Sequence, residues 1–244
     1  VIEIKTLHKS FGDNHVLKGV SLEIREGEVV ALIGRSGCGK SVLLRHLTGL
    51  MLPDEGGVVV DGNDMNALRG GQLISWRDRL GFLFQGGALF DSMTLFENVA
   101  FPLREKTRLS DERIHDRVLQ ELEHVGLSGA ENKYPAQLSG GMKKRAALAR
   151  ALVMDPEIML FDEPTTGLDP IIGFSILKLL HGCHERLSFT GIIASHDVPR
   201  IFDIVNRVVM LHEGVVWAEG SPDEFRSLDD PVVLRFLGEH REEG

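Results

Sequence analysis

The sequence predicts an α/β fold around a mainly parallel sheet, and three observations carry the prediction. Val29–Ile33 (VVALI) is an unbroken apolar run between Gly27 and Gly34, the pattern of a strand buried on both faces. A glycine-rich loop follows, and then a segment with Leu43, Leu44, Leu47 and Leu50 at helical spacing. Beyond a helical block over roughly 86–153, apolar runs of strand length return at 158–161, 191–194 and 208–211.

The elements take their places in order. Residues 1–6 and 20–24 alternate apolar and polar side chains, as half-exposed strands do. Strand 29–33, its loop and helix 41–50 form one unit, and a strand at 57–61 ends in the turn pair Asp61-Gly62. The helical block contains a helix over 110–125, with Ile114, Val118, Leu122 and Val125 on one face. Ser110 suits its N-cap, and Asp111 and Glu112 fall in the first turn. An alanine- and leucine-rich helix follows at 142–154. The segment 90–103, with Leu95, Phe96, Val99 and Phe101, is expected to supply core to this block and a groove at its edge. The chain thereby divides into a core of 1–85 and 154–225, an inserted helical subdomain of 86–153, and a tail of 226–244 whose charged end, EHREEG, is expected to fray.

Composition narrows the function. The chain has 244 residues, 43% of them hydrophobic and 26% charged, which suits one globular α/β domain carrying a subdomain. A formal net charge of −9 argues against free nucleic acid, which demands a basic face. It does not argue against nucleotides, because nests of backbone N–H groups bind phosphate whatever the overall charge. Cys38 and Cys183 make no disulfide framework, and the ten histidines lack metal-ligand spacing. No apolar run reaches the roughly 18 residues of a membrane span, and no signal peptide is visible. A reducing, cytoplasmic compartment is expected, and any membrane role must pass through a partner.

Two segments carry chemistry. Gly34-Arg35-Ser36-Gly37-Cys38-Gly39-Lys40-Ser41 matches G-x-x-x-x-G-K-[ST], placed after a buried strand and opening a helix. Its glycines let backbone N–H groups close around a β-phosphate, Lys40 reaches the β and γ oxygens, and the Ser41 hydroxyl coordinates Mg²⁺. Cys38 is read as a small residue tolerated in the loop. Ile158-Met159-Leu160-Phe161-Asp162-Glu163 delivers two adjacent carboxylates at a strand's carboxyl end. Neighbours on a strand point in opposite directions, so the two acids can take different roles: Asp162 with Mg²⁺, Glu163 as general base for an attacking water.

Leu138-Ser139-Gly140-Gly141-Met142 opens an alanine-rich helix, where paired glycines free backbone amides for an anion. Here the chain resembles the ABC ATPase family, whose signature is LSGGQ, over nearly its whole length. The resemblance implies a P-loop (RecA-like) core, an N-terminal antiparallel β subdomain and an inserted α-helical subdomain. It implies ATP and Mg²⁺ as ligands, Phe11 stacking on adenine, and Gln85 contacting Mg²⁺ or water. It also implies a D-loop at Leu168-Asp169 and a switch at His196, which touches the γ-phosphate. His196 follows Ile192-Ile193-Ala194-Ser195 at a strand's carboxyl end, where open α/β sheets bind ligands. Met142 departs from the signature by removing its glutamine; the contacts from Ser139, Gly140 and Gly141 do not depend on that side chain.

The family geometry implies a head-to-tail dimer of two copies, each ATP lying between one chain's phosphate-binding loop and the other's Ser139, Gly140, Gly141 and Asp169. It implies a transmembrane permease as partner, at the cytoplasmic face of the bacterial inner membrane. Within the family, LSGGM, Phe84-Gln85-Gly86-Gly87-Ala88-Leu89-Phe90, Pro102-Leu103-Arg104-Glu105 and Ser195-His196-Asp197-Val198-Pro199 resemble the ATPases of MCE-type phospholipid transporters (the Mla system). That resemblance adds an MCE-domain lipid-binding protein and a STAS-domain regulator as partners. The alternatives are another ABC importer or exporter, or a cell-division-type ATPase that signals across the membrane and carries nothing. Soluble ABC proteins of translation or repair fit less well, because neither a second ATPase unit nor a nucleic-acid element is visible.

Overall fold

Side-chain alternation along a few short strands organises the whole molecule. The computed structural model describes residues 1–196 and 198–239. In chain order the first elements are β1 (Ile2–Phe11), β2 (Asn14–Ile24), β3 (Val29–Ile33), α1 (Lys40–Leu47), β4 (Glu55–Val60), β5 (Asn63–Asp64), α2 (Gly70–Asp78) and β6 (Leu80–Leu83). The helical block follows as α3 (Leu95–Lys106), α4 (Asp111–His124) and α5 (Gly140–Leu152). Then come β7 (Ile158–Asp162), α6 (Pro170–Leu187), β8 (Thr190–Ser195), α7 (Val198–Ile201), β9 (Arg207–His212), β10 (Val215–Gly220), α8 (Pro222–Arg226) and α9 (Pro231–Glu239).

The strands form two sheets. One is antiparallel, in the order β2-β1-β4-β5; the other runs β10-β9-β3-β8-β7-β6 and is parallel except for β10 on its edge. In the second sheet, alternate residues feed two cores. Ala31, Ile33, Met159, Phe161 and Ile193 face the core that also holds α3, α4, α5 and α6. Val30, Leu32, Leu160, Ile192 and Ala194 face the core shared with α1 and the antiparallel sheet. This double burial is why these strands read as continuous apolar runs.

The expected strands and helices are present, with ends shifted by a few residues. Ser110 caps α4, its hydroxyl accepting from the Arg113 N–H, as its position and the acidic first turn predict. Segment 90–103 divides as expected for core: Leu95, Val99 and Leu103 are buried, while Phe90 is exposed. Asn98, wholly buried, pins the loop before α3 by donating to the carbonyls of Phe90, Met93 and Thr94 and accepting from the Phe90 N–H.

The C-terminal stretch 226–244 carries regular structure ahead of its charged end. Residues 231–239 form α9, with Val233 and Phe236 buried. Asp230 anchors its start, one carboxylate oxygen accepting from the Val232 and Val233 N–H groups and from the Trp217 indole. The apolar spacing of Val233, Phe236 and Leu237 drives docking; most of the charged end, 240–244, lies outside the described residues.

At the amino ends of the parallel strands, Arg207 of β9 grips the Glu28 carboxylate with two nitrogens, at 2.7 and 3.0 Å. Burial pushes the Glu28 pKa up, but the Arg207 bonds and the Arg25 N–H outweigh it and hold the carboxyl below the ordinary glutamate range. A depressed folded pKa adds stability that is complete above the unfolded value, about 4.3, and is lost as the pH falls through the folded value. Urea melts at pH 7 and pH 3.5 are expected to show a smaller acid-induced loss in Glu28→Gln than in the parent. An equal loss in both would remove this pair as a source of acid sensitivity.

Candidate active site

The glycine-rich loop 34–41 is shaped by close backbone approaches. Gly34 leaves β3 with φ 146°, and a Cβ there would lie 2.3 Å from the Leu211 carbonyl oxygen and 2.8 Å from Cys38 Sγ. Gly39 stands before α1 with φ 109°, where no side chain caps the helix. No side chain claims the first-turn amides of α1, and Lys40, Ser41 and Val42 line a cleft there, an arrangement suited to an anion. Lys40 is buried, its ammonium donating to the carbonyls of Gly34 (2.8 Å) and Arg35 (3.4 Å). The Ser41 hydroxyl donates to Asp162 Oδ1 at 2.6 Å, joining the loop to the end of β7.

The two acids differ from their expected arrangement. A strand's alternation would turn them to opposite sides, yet both reach the loop. Glu163 lies one residue beyond β7 in a left-handed conformation (φ 51°), so the alternation ends at Asp162. Its N–H still donates to the Ala194 carbonyl at 2.9 Å, which holds it against β8. One carboxylate oxygen lies 3.4 Å from the Lys40 ammonium. The other accepts from His196 Nδ1 at 2.6 Å and from the Thr166 hydroxyl at 3.2 Å. A carboxylate only accepts, so the proton of this imidazole bond sits on Nδ1.

A cleft of about 710 Å³ spans these groups. Phe11, Arg35, Ser36, Gly37, Gly39, Lys40, Ser41, Gln85, Glu163 and His196 line it, all singled out from sequence. Phe11 is 48% exposed at the end of β1, and Gln85 is exposed just beyond β6. Cys38 is half-buried within the loop, and burial pushes its thiol pKa up, which disfavours a reactive thiolate. Val16, Arg45, Thr166 and Phe236 also line the cleft and carry no local motif. Asp197 lies outside the described residues. No cluster of three or more metal-ligating side chains occurs among the described residues.

Ser139, Gly140, Gly141 and Asp169 do not line this cleft. Ser139 caps α5, accepting from the Met142 N–H, and it is exposed together with Gly140. Asp169 caps α6 through the Ile171 and Ile172 N–H groups. The two helix starts are neighbours: a Cβ on Gly141 would come 2.7 Å from the Ile172 side chain. One buried residue of α5, Lys144, does reach the site, bonding the carbonyls of Gln85 and Glu163; no spacing rule marks it in the sequence.

A phosphate-shaped loop with a buried lysine, a serine–aspartate pair and a glutamate between lysine and histidine define a P-loop nucleoside triphosphatase. The ABC transporter family model matches residues 17–166. The chain belongs to that family and is an ATP-hydrolysing subunit of it.

The intermembrane phospholipid transport system ATP-binding protein MlaF of Haemophilus influenzae is 41% identical, the alignment covering 97% of this chain and 90% of that protein. The chloroplast protein trigalactosyldiacylglycerol 3 of Arabidopsis thaliana is 42% identical, with 97% and 73% covered. A Mycobacterium leprae protein described as a probable ribonucleotide transport ATP-binding protein is also 42% identical, with 98% and 69% covered. Among solved structures, a dimeric ATP-binding cassette in a post-hydrolysis state with ADP and phosphate superposes with a TM-score of 0.83 at 36% identity. It covers 91% of this chain and 99% of its own.

Proposed function

We propose that this subunit powers the movement of phospholipids between bacterial membranes, working as a head-to-tail dimer on a transmembrane permease. The observation that carries the lipid reading is similarity along almost the whole chain to MlaF, at 41% identity over 97% of the chain. The LSGGM signature and the Gly-Ala-Leu-Phe stretch after Gln85 support it. The cytoplasmic face of the inner membrane is the matching location, with an MCE-domain lipid carrier and a STAS-domain regulator as partners. No described helix is long and apolar enough to cross a membrane, which fits a subunit that acts through a permease.

The residues divide the work. Phe11 stacks on adenine at the open end of the cleft. The loop of Gly34, Arg35, Ser36, Gly37, Cys38 and Gly39, with Lys40, cradles the phosphates. Ser41 Oγ and Asp162 Oδ1, 2.6 Å apart, are hard oxygen donors suited to Mg²⁺, with Gln85 completing the set. When bound, Mg²⁺ supplies positive charge against the phosphate oxygens. Glu163 takes the proton of the attacking water, and His196, held by the same carboxylate, faces the γ-phosphate. Ser139, Gly140, Gly141 and Asp169 complete the partner's site, which accords with the exposure of Ser139, Gly140 and Asp169 outside their own cleft.

The mycobacterial relative gives the competing reading, with nucleotide as cargo. Purifying the native complex and identifying the bound small molecules by mass spectrometry separates the two. Phospholipid is the expected result; ribonucleotide enriched outside the ATP sites, without lipid, would overturn the lipid reading.

A further inference from the structure

Lys144 sits one turn into the signature helix α5, 7% exposed, while its neighbour Lys143 is an ordinary surface lysine. A buried ammonium is unfavourable unless its protons are used. Here it donates to the Gln85 carbonyl and, at 3.3 Å, to the Glu163 carbonyl. Burial pulls the Lys144 pKa down, and the charges of Asp162 and Glu163 oppose that. Glu163 is thus held from two sides: β8 takes its N–H through Ala194, and α5 takes its carbonyl through Lys144. With both peptide groups held, its left-handed backbone aims the carboxylate at Lys40 and His196.

A second cation on α5 provides a contrast. Arg150 donates to the carbonyls of Gly87 (2.9 Å) and Ala88 (2.8 Å), gripping the same loop without touching Glu163. We propose that Lys144 is a positioning residue for hydrolysis: it sets the Glu163 carboxylate through the backbone and ties the signature helix to Gln85 and Glu163 together. A shift of α5 against the sheet then reaches both residues at once. The inference rests on the reading of Glu163 as the base.

Single-turnover and steady-state ATP hydrolysis on the full complex, with ATP affinity measured by a fluorescent analogue, test it. Lys144→Met is expected to lower kcat about 10²-fold, the scale of a small misplacement of a catalytic group, with the ATP Kd little changed. Lys144→Arg is expected to restore most of the rate, and Arg150→Met to lose less than Lys144→Met. In a Glu163→Gln background, Lys144→Met is expected to add little, as for residues that act as one unit. Should the methionine variant not fold, Lys144→Gln takes its place with the same readouts.

Wild-type turnover in Lys144→Met would overturn the proposal. So would a parallel loss of ATP affinity and kcat that arginine does not rescue, or equal losses in the Lys144 and Arg150 variants. If Glu163→Gln itself hydrolyses at the wild-type rate, both readings fall. A slow Glu163→Gln beside a normal Lys144→Met removes only the positioning role.

Discussion

Glu163→Gln is expected to bind ATP and form the closed dimer while hydrolysing about 10²–10⁴-fold more slowly, the range for loss of a general base. The geometry explains why binding survives. The amide keeps the side chain's shape, and its oxygen can still accept from His196 Nδ1, now 2.6 Å from the carboxylate. The substitution also removes the negative charge facing Lys40 at 3.4 Å, a charge that competes with phosphate for the ammonium. ATP affinity should therefore hold or rise as turnover collapses. Phosphate release, nucleotide titration and light-scattering mass with ATP present measure the three quantities separately. Turnover within a few-fold of wild type would dismiss Glu163 as the base.

Mixing two inactive variants is expected to restore activity. Lys40→Ala removes the buried ammonium of the phosphate-binding loop; Ser139→Arg places a bulky cation at the exposed start of α5. Each homodimer then carries a lesion in both sites. In a head-to-tail mixed dimer, both lesions fall in one site and the other is intact, because loop and signature come from different chains. Random pairing of equal amounts leaves roughly a quarter of all sites whole, which bounds the recovery for independent sites. Co-expression with two tags and tandem purification isolates the mixed species. An inactive mixed dimer, with nucleotide still bound, would count against sites shared between chains.

Both experiments turn on features of unequal legibility. The glycine-rich loop 34–41 was readable because its pattern is local: glycines needing tight backbone, a lysine and a serine at set spacing, and a buried strand ahead. β3, β7 and β8 were readable for a related reason, since burial on both faces writes a continuous apolar run. The docked helix α9 was masked by its charged end. Val16, Arg45, Thr166 and Phe236 reach the cleft from separate elements, so no spacing in the chain announces them.

The carboxylates mark the boundary most sharply. Their order at a strand end foretold two acids with separate partners, and the structure has Asp162 at Ser41 and Glu163 at Lys40 and His196. Pleat alternation suggested opposite faces; the left-handed backbone of Glu163, gripped by Ala194 and Lys144, brings its carboxylate to Lys40, beside the Ser41 that Asp162 holds. Residue types and local spacing thus determined which groups could bind and cleave a phosphate anhydride. The tertiary structure decided which of them meet, because packing of β8 and α5 around Glu163 joins residues that no local rule connects.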